Sequence, residues 1–282
     1  MASIVEAQTP PGRMLVYRHS LATRLTHWIN VICLSFLLFS GLQIFNAHPA
    51  LYWGQYGAND DHPFIVIGSI QEGETLRGVT QIGSLSIPTT GVLGASKLDG
   101  EVTARAFPWW LTLPSYQDLA SGRRWHFFFA WFFVLNGLIY LLFGLLNGHF
   151  RRDLLPDADQ LKPRHLVHEI IDHARLRFAR GEEAKRYNAL QKLAYLAVAF
   201  VLLPLMILTG MTMSPAMDAG FPILLDIFGG RQSARTIHFL TASGLVAFVV
   251  VHLVMVLLSG VWNNLRSMVT GYYAIPPDRT ST

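Results

Sequence analysis

The chain has 282 residues, of which 51% are hydrophobic and only 14% are charged, and its formal net charge is +4. Soluble domains usually carry about 25% charged residues, so this composition argues against an ordinary soluble domain and indicates a membrane protein. No basic run suggests a nucleic-acid partner. The single cysteine, Cys33, excludes an internal disulfide, an iron–sulfur cluster held by this chain and a C-x-x-C-H attachment motif.

Four apolar stretches of the chain are each long enough to cross about 30 Å of hydrocarbon. Because backbone polar groups in lipid must be satisfied internally, each stretch is predicted to be a helix. In chain order they run over approximately residues 28–47, 126–147, 190–213 and 237–261. The predicted fold class is therefore an all-α membrane protein. We expect a bundle of four transmembrane helices in the lipid bilayer, forming a single domain over residues 1–282.

Basic residues are concentrated on one side of this topology. Three arginines precede the first stretch, and the 148–189 loop is rich in arginine and lysine. The positive-inside rule therefore places both termini and the 148–189 loop in the cytoplasm, and the 48–123 loop on the outer side of the membrane. The outer loop should contain short β segments, because its runs PFIVIGSI and VTQIGSLSIP are rich in β-branched residues. Within the cytoplasmic loop, residues 166–179 have the apolar spacing of an interfacial helix.

Four histidines fall at two depths of the predicted membrane. His27 begins the first stretch on the cytoplasmic side, and His126 begins the second on the outer side. His238 and His252 lie fourteen residues apart in the fourth stretch, which is about 21 Å and about 3.9 helical turns, so both face the same way. Ionisable side chains at membrane depth are functional candidates. Depth alone pairs His126 with His238 on the outer side and His27 with His252 on the inner side.

Two such imidazole pairs are expected to ligate the iron of two b haems. Neutral imidazole is a common metal ligand, and bis-histidine coordination leaves no open position, which suits electron transfer. A histidine relay in a proton-coupled transporter would use similar residues, and a haem-free anchor is a further alternative. The sequence shows neither internal repeats nor paired broken helices, which argues against the transporter.

Three of the four histidines follow an arginine by three residues: Arg24, Arg123 and Arg235. Positions i and i+3 share a helix face, so each arginine should lie one turn nearer to water than its histidine. The guanidinium fork suits carboxylates. These arginines are predicted to bind haem propionates, although arginine also commonly marks helix ends at membrane interfaces.

Motifs in all four helices resemble a known family. They are R-x5-R-x-x-H-W at 18–28, W-H at 125–126, Y-N-x-x-Q-K at 187–192, T-G at 209–210 and H-x13-H at 238–252. Together they resemble the di-haem cytochrome b family that includes the gamma subunit of formate dehydrogenase and the cytochrome b of nickel–iron hydrogenase. The stretches at 87–94 and 229–235 look similar to thiosulfate-reductase-type cytochromes b, which are membrane partners of molybdopterin oxidoreductases.

The resemblance implies that the four histidines are haem ligands and that a quinone binds beside the cytoplasmic haem. Asn188 and Gln191 occupy matching positions of the family's Y-N-x-G-Q-K motif, in which this chain has Leu190 in place of glycine. A polar helix start would equally place these residues there.

The predicted function is that of an electron-transfer subunit of an oxidoreductase complex. We expect it to connect the quinone pool with an extracytoplasmic redox enzyme, namely a molybdopterin oxidoreductase. One alternative, from another class, is the proton-coupled transporter; a second is a solitary cytochrome that oxidises superoxide or a small reductant at the outer haem.

Overall fold

The computed structural model describes residues 14–57, 61–175 and 188–275. The helices in this part of the chain are α1 (Leu21–Asn46), α2 (Leu119–Leu146), α3 (Pro163–Ala174), α4 (Ala189–Met213), α5 (Pro215–Gly220), α6 (Ile223–Phe228), α7 (Arg231–Leu258) and α8 (Val261–Thr270). The strands are β1 (Met14–Tyr17), β2 (Ala50–Leu51), β3 (Ile65–Glu72), β4 (Thr75–Ile82), β5 (Leu85–Pro88), β6 (Ala95–Leu98), β7 (Glu101–Ala104) and β8 (Tyr272–Ile275).

Four helices, α1, α2, α4 and α7, are long and apolar enough to cross a membrane. The predicted fold class is therefore confirmed, including the short β segments between the first two of these helices. Helix α4 widens to a π turn over Val198–Leu202, just before Pro204, which cannot donate a backbone hydrogen bond.

The spanning helices begin earlier than their apolar stretches. Helix α1 begins at Leu21 rather than at residue 28, and α2 begins at Leu119 rather than at residue 126. The first two turns of each helix contain polar residues. Such residues fall outside a stretch defined by hydropathy, but a helix can contain them where it leaves the hydrocarbon. As a result, His27 and His126 lie about two turns inside their helices rather than at the first residue.

The chain divides into two compact units. The first, called the 27/252 unit, comprises the described residues up to Ile29, Asn136–Leu203, and those from Gly244 onward. The second, called the 126/238 unit, comprises Asn30–Leu135 and Pro204–Ser243. Helices α1, α2, α4 and α7 each contribute residues to both units, and each candidate histidine pair falls within one unit.

The 126/238 unit contains a four-stranded antiparallel sheet in the order β2-β3-β4-β5 and a separate hairpin, β6-β7. Its core joins loop residues to the helix ends, and Phe45 of α1 stacks on Phe239 of α7 at 4.7 Å between ring centroids. The other core side chains are Leu51, Ile65, Ile67, Ala106 and Phe107. The loop therefore folds directly onto helices that carry candidate ligands.

The start of α7 is capped by this loop. The Gly54 carbonyl accepts hydrogen bonds from the backbone amides of Gln232 and Ser233, and the Ser233 hydroxyl bonds to the Gly54 amide at 2.7 Å. A Cβ on Gly230, whose φ is 108°, would lie 2.6 Å from the Gly54 carbonyl. Gly230, the second glycine of the 229–235 motif, is thus needed for the close approach of these two backbone segments.

The 27/252 unit contains the antiparallel pair β1-β8, in which Met14 pairs with Ile275. A helix is present as α3 in the region predicted at 166–179, its interfacial position stays a prediction, and the part of that prediction after residue 175 lies outside the described residues. The last predicted stretch does not continue to residue 261. It ends at Leu258, Gly260 adopts a φ of 109°, and α8 follows as a separate helix.

Candidate functional site

His126 of α2 and His238 of α7 form a close pair, called the 126/238 pair. Their ring centroids lie 6.3 Å apart with an interplanar angle of 60°. Two nitrogen–metal bonds of about 2.0 Å laid end to end, with a ring radius added at each end, give a spacing of about this size. The spacing is therefore suited to one metal ion between two imidazoles.

Each ring of the 126/238 pair contacts a buried hydroxyl through its Nδ1 atom. Ser40 Oγ lies 3.1 Å from His126 Nδ1, and Thr209 Oγ1 lies 2.9 Å from His238 Nδ1. Both hydroxyl-bearing residues are 0% exposed. Ser40 donates its single hydroxyl proton to the Phe36 carbonyl, and Thr209 donates its proton to the Leu205 carbonyl.

These hydroxyls fix the tautomers of the two imidazoles. Because each hydroxyl proton is already donated to a carbonyl, the oxygen accepts from the histidine, and Nδ1 carries the proton. Nε2 then presents a lone pair. Metal-ligating histidines commonly donate their other ring N–H to such a partner, which orients the ring and raises its basicity. The residues of the 126/238 pair therefore fit bis-imidazole ligation of a haem iron.

A glycine follows each of the two hydroxyl residues and lies against the same ring. A Cβ on Gly41 would contact His126 Cε1 at 3.4 Å, and one on Gly210 would contact His238 Cε1 at 3.5 Å. The hydroxyl–glycine dipeptide thus occurs once in α1 and once in α4, each beside one histidine. Ser40 and the role of Thr209 were not predicted from the sequence, and the repeated hydroxyl–glycine dipeptide is the signal that could have indicated them.

His27 of α1 and His252 of α7 are the second predicted pair, called the 27/252 pair, and both lie in the 27/252 unit. The His252 ring stacks on Phe248, with 5.9 Å between centroids and an angle of 19°, while the His27 ring lies edge-on to Trp28. His27 Nδ1 is buried and has no hydrogen-bond partner in the described part of the chain. The two imidazoles and the unpartnered His27 Nδ1 fit an iron centre by their donor chemistry. Unlike the rings of the 126/238 pair, His27 has no hydroxyl at its Nδ1 atom among the described residues.

The three arginines predicted to bind propionates lie in the expected helices, three residues before their histidines. Two of them donate to backbone carbonyls: Arg24 to Val269, and Arg235 to His48 and Ala50. The guanidinium of Arg123 lies over the Phe127 ring at 5.7 Å. Arg24 and Arg235 thus have structural partners that the i, i+3 pattern did not predict, and propionate binding stays a prediction for all three.

Asn188 and Gln191 lie at the start of α4 in the 27/252 unit. Asn188 is the N-cap of α4, and its side-chain oxygen accepts a hydrogen bond from the Gln191 amide at 2.8 Å. The Glu169 carboxylate also accepts hydrogen bonds from the next two backbone amides, those of Ala189 and Leu190. The helix start is therefore held by polar groups, and the predicted quinone contacts remain untested predictions.

Two comparisons with known proteins found matches that cover most of the chain. Residues 18–271 match the family model described as prokaryotic cytochrome b561. A curated protein of Azospira oryzae, named "Putative protein-methionine-sulfoxide reductase subunit YedZ1", is 29% identical over 250 residues. That alignment covers 88% of this chain and 93% of the relative. No solved structure matches the chain.

Proposed function

The chain belongs to the prokaryotic cytochrome b561 family, and from this premise we propose that it is a di-haem subunit that connects membrane quinones with an external redox enzyme. Membership makes the chain an integral membrane protein that binds haem b and transfers electrons. Beyond family membership, we propose two haems per chain, their histidine ligands, a bound quinone and a partner enzyme. Haem b, when bound, supplies reversible one-electron transfer.

The observation that carries the proposal is the geometry of the 126/238 pair. Its ring spacing, its two Nδ1–hydroxyl contacts and its two adjacent glycines all suit axial ligation by Nε2. We assign one haem to His126 and His238 and a second to His27 and His252. An iron held by two imidazoles would have no position open for substrate, which favours electron transfer over chemistry at the metal.

Quinone is assigned to the 27/252 unit. Asn188 and Gln191 begin α4 within this unit, which also holds both histidines of the second pair. A quinone exchanges protons as well as electrons, so polar side chains at a helix start are suitable neighbours. We further propose that both termini are cytoplasmic in the bacterial inner membrane, which places the 126/238 pair towards the outer face.

The partner is proposed to be an oxidoreductase at the outer face, of the molybdopterin type. The Azospira oryzae relative is named as a subunit of a protein-methionine-sulfoxide reductase. By analogy, this chain would pass electrons from quinol to a reductase that acts on an oxidised substrate. The 126/238 unit, with its folded loop, is the proposed docking region.

Haem content and single histidine variants test the proposal. The purified chain should show b-type bands in a reduced-minus-oxidised spectrum and two haems per chain. His126→Ala and His238→Ala should each remove the same haem, and His27→Ala and His252→Ala should each remove the other. A single haem in the unaltered chain, or loss of the same haem from His126→Ala and His252→Ala, contradicts the assignment.

A further inference from the structure

Helix α8 turns three apolar side chains outward and two polar side chains inward, while Arg266 and Thr270 are also exposed. Trp262, Leu265 and Val269 are 80%, 40% and 60% exposed, and their spacing of three and four residues puts them on one face. On the opposite side, the Asn263 side chain donates to the Ala274 carbonyl at 2.7 Å and accepts from its amide at 2.9 Å. Ser267 is only 2% exposed. A helix at an ordinary water surface has the opposite arrangement.

The exposed apolar face of α8 continues the lipid-facing surface of α7. Leu253, Leu257 and Leu258 in the last turns of α7 are 54%, 63% and 48% exposed, as befits a spanning helix. Only Ser259 and Gly260 separate α7 from α8. Exposed apolar side chains thus lie on both sides of the two-residue break between α7 and α8, which indicates lipid as the occupant of the α8 stripe.

The carboxyl end of α8 holds the residues on both sides of His27. Trp28 Nε1 donates to the Met268 carbonyl at 3.0 Å, and Arg24 donates to the Val269 carbonyl. The last carbonyls of a helix lack intrahelical partners, and its negative dipole end favours a cation such as Arg24. Just beyond, the Gly271 carbonyl accepts from the Arg18 amide at 2.8 Å.

We propose that α8 lies in the lipid interface, with Trp262, Leu265 and Val269 inserted at the headgroup–acyl boundary, and that it positions His27 from there. Amphipathic helices bind bilayers in this way, and tryptophan is enriched at the membrane–water boundary. Arg24 and Trp28 are positioning residues, because they connect the segment around His27 to the end of α8. The lipid contact stands on the described geometry alone, whereas the effect on a haem rests on the proposed function.

Spin labels test the lipid contact without reference to haem. Single cysteines replace Trp262, Leu265, Val269 and, as a control on the polar flank of the helix, Thr270, in a Cys33→Ser background. The labelled chain is placed in vesicles of phosphatidylethanolamine and phosphatidylglycerol. Labels at the first three positions should collide more with oxygen than with a water-soluble nickel chelate, and the label at Thr270 should show the reverse.

Two outcomes of this measurement overturn the lipid contact. Access of the nickel chelate to all four labels would place the face in water. Protection of the three apolar positions from both reagents would instead show that protein covers them, either a second copy or a partner.

A second measurement tests the positioning of His27. Trp28→Phe keeps an aromatic ring but removes the N–H donor to the Met268 carbonyl. The electron paramagnetic resonance signal of one ferric haem should shift, while the other stays unchanged. Trp131→Phe, at a residue of α2 that is 66% exposed, is the matched control and should shift neither signal. Unchanged signals for both haems in Trp28→Phe would refute the positioning role while leaving the two-haem assignment intact.

Discussion

Thr209→Val removes the hydroxyl that accepts from His238 Nδ1 and preserves the shape of the side chain. The hydroxyl is 2.9 Å from that nitrogen and is fully buried, so no water is expected to replace it. The ring N–H then keeps only the Met206 backbone carbonyl as an acceptor. Loss of this donation should make the imidazole a weaker electron donor to a ferric iron, so the midpoint potential of the corresponding haem should rise.

The size of the effect follows from the cost of losing one of two buried acceptors of the ring N–H. Leaving a buried donor wholly unsatisfied costs about 1–3 kcal/mol, which is an upper bound here because the Met206 carbonyl remains. Losing the outer partner of a metal-ligating histidine typically lowers metal affinity by about 10–100-fold. Only part of this cost distinguishes the ferric from the ferrous state. A difference of about 1 kcal/mol between them corresponds to about 40 mV for a one-electron couple.

Redox titration of the purified variant, followed by visible absorption, measures this shift. Thr212→Val is the matched control, because Thr212 is equally buried and donates to the Leu208 carbonyl at 2.9 Å. We expect one haem to move upward by tens of millivolts in Thr209→Val, and neither haem to move in Thr212→Val. Equal behaviour of the two variants, or a shift confined to the haem that His252→Ala removes, would refute the assignment of the Thr209 hydroxyl to His238.

Three further predictions concern other parts of the chain. Ser40→Ala should raise the potential of the same haem as Thr209→Val, whereas Ser35→Ala, which loses only a bond to the Val31 carbonyl, should leave it unchanged in the same titration. Arg105→Met should lower the free energy of unfolding in detergent by about 2–3 kcal/mol, because Arg105 is 5% exposed and donates to Gln43, Thr112 and Ser115. Arg124→Met, at an exposed position, is the control. Equal stability of the two variants would contradict this prediction. Burial first, and then the charge of Arg18, lower the pKa of His19 from 6.5 to about 4. The unfolded chain therefore binds this proton more readily, stability should fall as pH drops from 6.5 towards 4, and His19→Gln should flatten that part of a stability–pH profile.

Residue patterns predicted the spanning helices and the histidine pairs because both depend on fixed helical dimensions. The rise per residue sets the depth of His238 and His252 whatever surrounds them. The contacts of Ser40 and Thr209 depend instead on how each helix is rotated about its axis, which no single-chain periodicity encodes. The first turns of α1 and α2 were not predicted because hydropathy detects only the part of a helix that contacts lipid. In α1, residues 21–26 are helical but partly polar.

Helix α8 was not predicted because its ten residues, half of them apolar and half polar, are too short for a membrane span. It also follows the fourth apolar stretch after a break of only two residues. Some of its polar side chains bond to the segment that follows α8 in the same chain, as the two hydrogen bonds between Asn263 and Ala274 show. Similarly, the carbonyl partners of Arg235 lie about 185 positions earlier in the chain, beyond the reach of any local rule.

The cap that Gly54 places on α7 divides the loop between α1 and α2 into two regions with different freedom to vary. Near Gly54 and Gly230 the backbones touch, so an inserted residue would displace the start of the helix that carries His238. At the β3–β4 turn, a Cβ on Gly73 would meet nothing within 4 Å, and the flanking strand ends are exposed. This hairpin tip is therefore the place for an epitope tag or fluorescent reporter, and the place where length differences between family members should accumulate.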